Sequence, residues 1–191
     1  MDPVFTLQWP ECLLAEQLQR LFPKLKNFSV LVPASRQEKE IDLAVVHKRP
    51  DGESRVALLQ VKASRTYTPS PPKRATTQRY RFFTWFNAFE PSDHADFFLL
   101  IGMYAPNSAQ TKPVAKDWYR DITLLFTYKE MKVFMENCRT VGGKADGKFG
   151  FGFDDEACIV QTRGDQMRGN ADFTHHLLVN RLDDLRTHLR A

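Results

Sequence analysis

Cysteine is scarce in this chain: three occur among 191 residues, Cys12, Cys138 and Cys158, an odd number with no CxxC pair. That excludes a disulfide framework and a zinc knuckle, and it fits a reducing compartment. Long apolar runs are missing too. The longest, Phe97 to Met103, falls far short of the ~20 residues that a membrane helix requires. Pro10 and Glu11 interrupt the N-terminal region before an apolar stretch develops, so the expectation is no secretory signal, no membrane partner and a cytoplasmic location. Neither sign of charge prevails strongly. Lys and Arg number 27 against 23 Asp and Glu, a formal net charge of +4, which suits a polyanionic partner without requiring one. No serine or cysteine stands in a nucleophile elbow, and the adjacent His175 and His176 have poor spacing for chelating a metal.

What is present describes an ordinary globular chain, 42% apolar and 26% charged, long enough to bury roughly 70% of its unfolded surface without a staple. The expectation is one domain over residues 1–191, with a core over about 10–138 and a C-terminal extension over 139–191. Leu14, Leu18, Leu21 and Phe22 follow Pro10 at helical spacing, so Pro10 to Phe22 reads as an amphipathic helix. Phe28 to Val32 reads as a strand. Glu40 to His47 and Arg55 to Ala63 flank the turn cluster Pro50-Asp51-Gly52-Glu53 and read as a hairpin. Tyr80, Phe83, Phe86 and Phe89 recur at nearly helical spacing before Pro91, which predicts a second helix capped by Thr76. Asp96 to Tyr104 and Ile122 to Thr127 read as buried strands, and Lys129 to Cys138 as a helix. Ala157 to Thr162 reads as a further strand, and the leucines from Leu178 to Leu189 as a closing helix.

The segment that points to chemistry is Glu40-Ile41-Asp42, the hairpin turn, and Gln60-Val61-Lys62. Side chains alternate along a strand, so Gln60 and Lys62 project from one face about 7 Å apart while Val61 packs on the other. Asp42 on the neighbouring strand reaches that face as well. A carboxylate and an amide oxygen beside an ammonium make an oxygen-rich site for a hard divalent cation, with a lysine placed to orient the attacking water.

With Glu16 on the first helix, Asp42 opening the second strand and Gln60-Val61-Lys62 closing the third, this D-x17-QxK arrangement resembles the PD-(D/E)XK nuclease superfamily in its QxK form. The likeness covers the first half of the chain. It implies an α/β fold, a restriction-endonuclease-like mixed central sheet flanked by helices in the order αβββαβ. It further implies Asp42 as principal metal ligand, Lys62 as catalytic lysine, Gln60 and the Val61 carbonyl as oxygen donors, and Glu16 as a further acidic ligand. Mg2+ is the implied cofactor, with Mn2+ as an alternative. Gln60 stands where an acid is commoner, and Phe82 stands where the RecB-like branch has a tyrosine four residues after Gln78.

Lys73, Arg74, Arg79 and Arg81 stand at the entrance of the expected second helix, where they could meet backbone phosphates; a solvated charged face is the alternative. Gly142 to Lys148 satisfies GxxxxGK, but Phe149 follows where a P-loop needs a hydroxyl, so it is read as a glycine-rich hairpin or mobile loop. The expected function is therefore metal-dependent phosphodiester hydrolysis on nucleic acid, with DNA the expected form and a homodimer suited to double-strand cutting. The alternative is a nuclease-fold protein without activity that serves as a nucleic-acid-binding or protein-interaction module.

Overall fold

A computed structural model describes residues 9–33, 40–68, 80–104, 120–154, 158–165 and 171–191. Helix α1 (Trp9–Leu21) carries Pro10 in its first turn, where a missing N–H costs nothing, and buries Leu14 and Leu18. Pro23 stops it, and a short 3-10 turn ends at Asn27 in the left-handed region (φ 62°). Strand β1 (Phe28–Leu31) pairs antiparallel with β2 (Leu43–Lys48), and β2 pairs antiparallel with β3 (Ser54–Tyr67). The turn between β2 and β3 closes through Arg49 N–H to Glu53 O (2.8 Å). Gly52 supplies the positive φ there.

Five further strands and two helices follow: β4 (Phe82–Asn87), β5 (Phe97–Tyr104), β6 (Arg120–Thr127), α2 (Tyr128–Glu136), β7 (Lys148–Phe153), β8 (Ile159–Arg163) and α3 (Leu182–Arg190). A first sheet runs β1-β2-β3-β5-β6. Only its β3–β5 ladder is parallel among the described residues. A second sheet, antiparallel throughout, joins β4, β7 and β8 to the C-terminal end of β3 through Thr66 and Tyr67. Thr127 caps α2 in a reciprocal capping box with Glu130.

Alternation decides the layers. Leu59, Val61, Phe97, Leu99, Ile101 and Leu125 face α1 and α3, packing with Leu14, Leu18, Leu185 and Leu189. On the opposite face Phe98, Leu100, Leu124 and Phe126 meet Phe82, Phe86, Phe149, Phe151 and Phe153 of the second sheet, together with Met131 of α2. Residues 139–191 thus supply β7, β8 and α3 to both cores. No described helix is long and apolar enough to cross a membrane.

The architecture corrects the expected fold class. The described residues form a mostly antiparallel β structure with three α-helices, not a restriction-endonuclease-like αβββαβ core. The segment read as a second helix is instead strand β4. Tyr80, Phe83, Phe86 and Phe89 do recur every three residues, but burial follows a period of two: Phe82, Thr84 and Phe86 are buried, while Trp85 and Asn87 are exposed. A run of aromatic and β-branched residues favours the pleated, half-buried surface.

Candidate functional site

Strand β3 borders two different partners along one edge. Leu58 exchanges bonds with Asp96, just ahead of β5, whereas the Leu59 carbonyl accepts from Asp42 N–H (2.9 Å), which continues the β2 ladder. Backbone groups alternate between edges, so Leu59, Val61 and Arg65 all address the β2 side. The β2 ladder ends at Leu59, and β4 begins only where Thr84 Oγ1 donates to the Arg65 carbonyl (3.2 Å). Between these points the two sheets part and leave a fork along β3.

Asp42 occupies that fork. Its Oδ2 accepts the Val61 N–H at 2.7 Å, so the carboxylate supplies the ladder bond that β2 no longer provides. The register that sets Leu43 opposite Leu59 carries Asp42 one step further, to a place opposite Gln60. Glu40, two residues earlier, takes φ 79°, an uncommon conformation for a non-glycine residue, as the chain turns into the fork. The Gln60 side chain is 5% exposed, and its Oε1 is buried with no hydrogen-bond partner. A buried amide oxygen without a donor is costly, which makes it the most informative atom of the site. Lys62 follows on the same face of β3, its ammonium 5.0 Å from the centroid of the Phe89 ring. That cation–π contact holds the charge beside the fork.

Asp42, Gln60, Val61 and Lys62 therefore come together. Glu16 does not join them. It lies on the exposed side of α1, paired with Arg20, and α1 covers the Leu59 and Val61 face of the sheet, the layer opposite Gln60 and Lys62. Among the described residues no three His, Cys, Asp or Glu side chains converge as a metal-binding group. Asp42, the orphaned Gln60 oxygen and the Val61 carbonyl nevertheless offer one anionic and two neutral oxygens, a donor set that fits Mg2+, which keeps several waters and binds through one or two carboxylates.

Of the cations expected to meet phosphates, Lys73, Arg74 and Arg79 lie outside the described residues. Arg81 is exposed at the start of β4, its guanidinium 5.5 Å from the Phe82 ring centroid. It stands at a strand and not at a helix entrance. Asp96, which the sequence marks only as the start of a strand, has an Oδ2 that accepts the Leu58 N–H (2.8 Å) and lies 3.5 Å from His188 Nε2 of α3. No local pattern marks those contacts, because its partners are 38 and 92 residues away. Comparison with protein-family models, with curated proteins and with solved structures finds no match, so the chemistry of the fork rests on its own residues.

Proposed function

We propose that this protein is a Mg2+-dependent phosphodiesterase acting on nucleic acid, with DNA as the expected substrate. The observation that carries the reading is the fork itself: a carboxylate fixed by a backbone amide, a buried amide oxygen without a donor, and a lysine on the same strand face. Asp42, Gln60 and the Val61 carbonyl would hold the ion, which when bound lowers the pKa of a water and neutralises phosphate charge. Lys62 would orient that water and pair with a phosphate oxygen. Its packing on Phe89 restricts the ammonium to the fork, so less side-chain freedom is lost when substrate arrives. The likeness of Asp42 and Gln60-Val61-Lys62 to the PD-(D/E)XK motif supports the same reading, now as a local arrangement and not as a fold. A cytoplasmic setting goes with that substrate and with three unpaired cysteines.

One observation favours a second reading, binding without cleavage: Glu16 lies away from the fork, and Gln60 brings no charge to it. A plasmid-nicking assay in Mg2+ and in Mn2+ separates the two. Cleavage by the parent and its loss in Lys62→Ala support the enzyme. Absence of nicking at any metal concentration, with retained DNA binding, supports the module.

A further inference from the structure

The outer face of the second sheet carries a row of rings that the core does not use. Phe83 and Trp85 project outward from β4, Tyr67 joins them from β3, and Tyr80 lies beside them. The Tyr67 and Phe83 centroids are 5.5 Å apart, Phe83 and Trp85 5.1 Å, and Tyr80 and Phe83 6.4 Å. Tyr67 is 46% exposed and Trp85 42%. Strand β7 places glycines beneath these rings: a Cβ at Gly150 would stand 2.5 Å from Trp85 Cδ1, and one at Gly152 2.4 Å from Tyr80 Cγ. Trp85 and Tyr80 therefore occupy the space that side chains at Gly150 and Gly152 would fill, beside Thr162. The Arg163 guanidinium lies 5.7 Å from the Trp85 ring centroid, held there by Asp146 (Nη2 to Oδ1, 3.1 Å), and exposed Arg65 stands two residues before Tyr67 on the same side of β3.

We propose that this face is a stacking platform for single-stranded nucleic acid. Every base has a π-face, and a sheet that presents adjacent aromatic side chains can stack successive bases whatever their sequence. A duplex hides those faces, so the platform selects for unpaired strand. The charge pattern favours this occupant over a protein partner: the centre of a protein interface is depleted of charge, whereas here arginines stand among the rings, where phosphates would run. The proposal does not depend on cleavage at the fork, because stacking requires no metal.

The test is fluorescence anisotropy in EDTA with a labelled oligo-dT strand and with a blunt duplex of equal length. The single strand is expected to bind more tightly. Trp85→Ala and Tyr67→Ala each weaken it by about 5- to 150-fold, the value of one stacked base, and leave duplex binding unchanged. Trp85→Phe, which keeps a π-face, retains binding within a few fold. Arg65→Gln flattens the slope of log K against log salt by about 0.7. The anisotropy is read without metal, so strand binding lost in Trp85→Ala reports on the platform whether or not the plasmid assay shows cleavage, and failure of the fork and failure of the platform are read separately. A folded Trp85→Ala, Tyr67→Ala double variant that binds as the parent does would overturn the proposal, and so would a parent that prefers duplex. Should that double variant not fold, the Trp85→Phe and Arg65→Gln results decide. If the parent binds neither oligonucleotide but sediments as a dimer that Trp85→Ala dissociates, the face is a contact between copies and the proposal fails.

Discussion

Replacing Asp42 separates two roles that one carboxylate performs. In the fork its Oδ2 accepts the Val61 N–H at 2.7 Å, where no described strand supplies an acceptor. Asp42→Ala strands the amide of Val61, a residue only 8% exposed, and an unsatisfied buried donor costs about 1–3 kcal/mol. For a chain of this length each kcal/mol lowers Tm by about 2–4 °C, so a fall of about 5 °C is expected. Asp42→Asn keeps an oxygen of nearly the same position, and its Tm should stay within about 2 °C of the parent by the same scale. Both variants lose the negative charge, and both should lose nicking. Calorimetry in EDTA and a plasmid assay in Mg2+ provide the two readings. Equal melting of the Ala and Asn variants would show that the Val61 bond contributes nothing to stability. Parental nicking by the Asn variant would remove the carboxylate from the chemistry.

Gln60→Glu puts a second carboxylate in a buried place opposite Asp42, so the variant should melt below the parent in EDTA and gain more from Mn2+, about 2.7 kcal/mol at a hundredfold excess over Kd. If Mn2+ lifts its Tm no more than the parent's, position 60 faces no metal. Arg181 donates to both oxygens of Glu130 (2.9 and 3.1 Å) and pairs with Asp184, tying the start of α3 to α2; Arg181→Ala should cost about 2 kcal/mol in urea unfolding. An unchanged midpoint would mean that the pair is only a surface contact. His176 is buried, stacked on Phe126 and faced by Glu130, Arg181 and His175, and its burial holds the imidazole below its ordinary pKa. The unfolded chain then takes up the proton first, so this contribution is whole above about pH 6.5 and is lost as pH falls below it. Urea midpoints from pH 7.5 to 5.5 should decline less steeply in His176→Phe than in the parent.

Much of the first sheet was legible because its periodicities are clean. Leu14 and Leu18 at helical spacing, the turn at Pro50 to Glu53, and the continuous apolar run of β5 each specify one element. The placement of Asp42, Gln60 and Lys62 on one face followed from alternation alone. The second sheet was not legible, for physical reasons. In β4 apolar residues occupy both faces, because one packs in the core and the other carries the outer rings, so the period of two is hidden beneath a spurious period of three. In β7 the Lys148-Phe-Gly-Phe-Gly-Phe153 run has glycines that weaken its strand signal, yet Gly150 and Gly152 are there because Trp85 and Tyr80 occupy the space of their side chains. That requirement lies in another strand. Glu16 failed for a similar reason: helical spacing gives the buried stripe of α1, but which face of the sheet it covers is settled by tertiary packing.

Strand β3 belongs to both sheets, and this governs how the molecule can come apart. Ser54 to Leu59 are zipped to β2, Leu59 to Arg65 to β5, and Thr66 and Tyr67 to β4, with no backbone break between them. The two aromatic and aliphatic cores cannot melt as independent units, because releasing either strips a partner from the same strand. The amides of Gln60, Lys62 and Ser64, which address β5, should therefore exchange with solvent only through the highest-energy opening, together with those of β5. A chain cut in the Pro50 to Glu53 turn would leave each fragment with an open edge, and the pieces would regain order only by reassembling around β3.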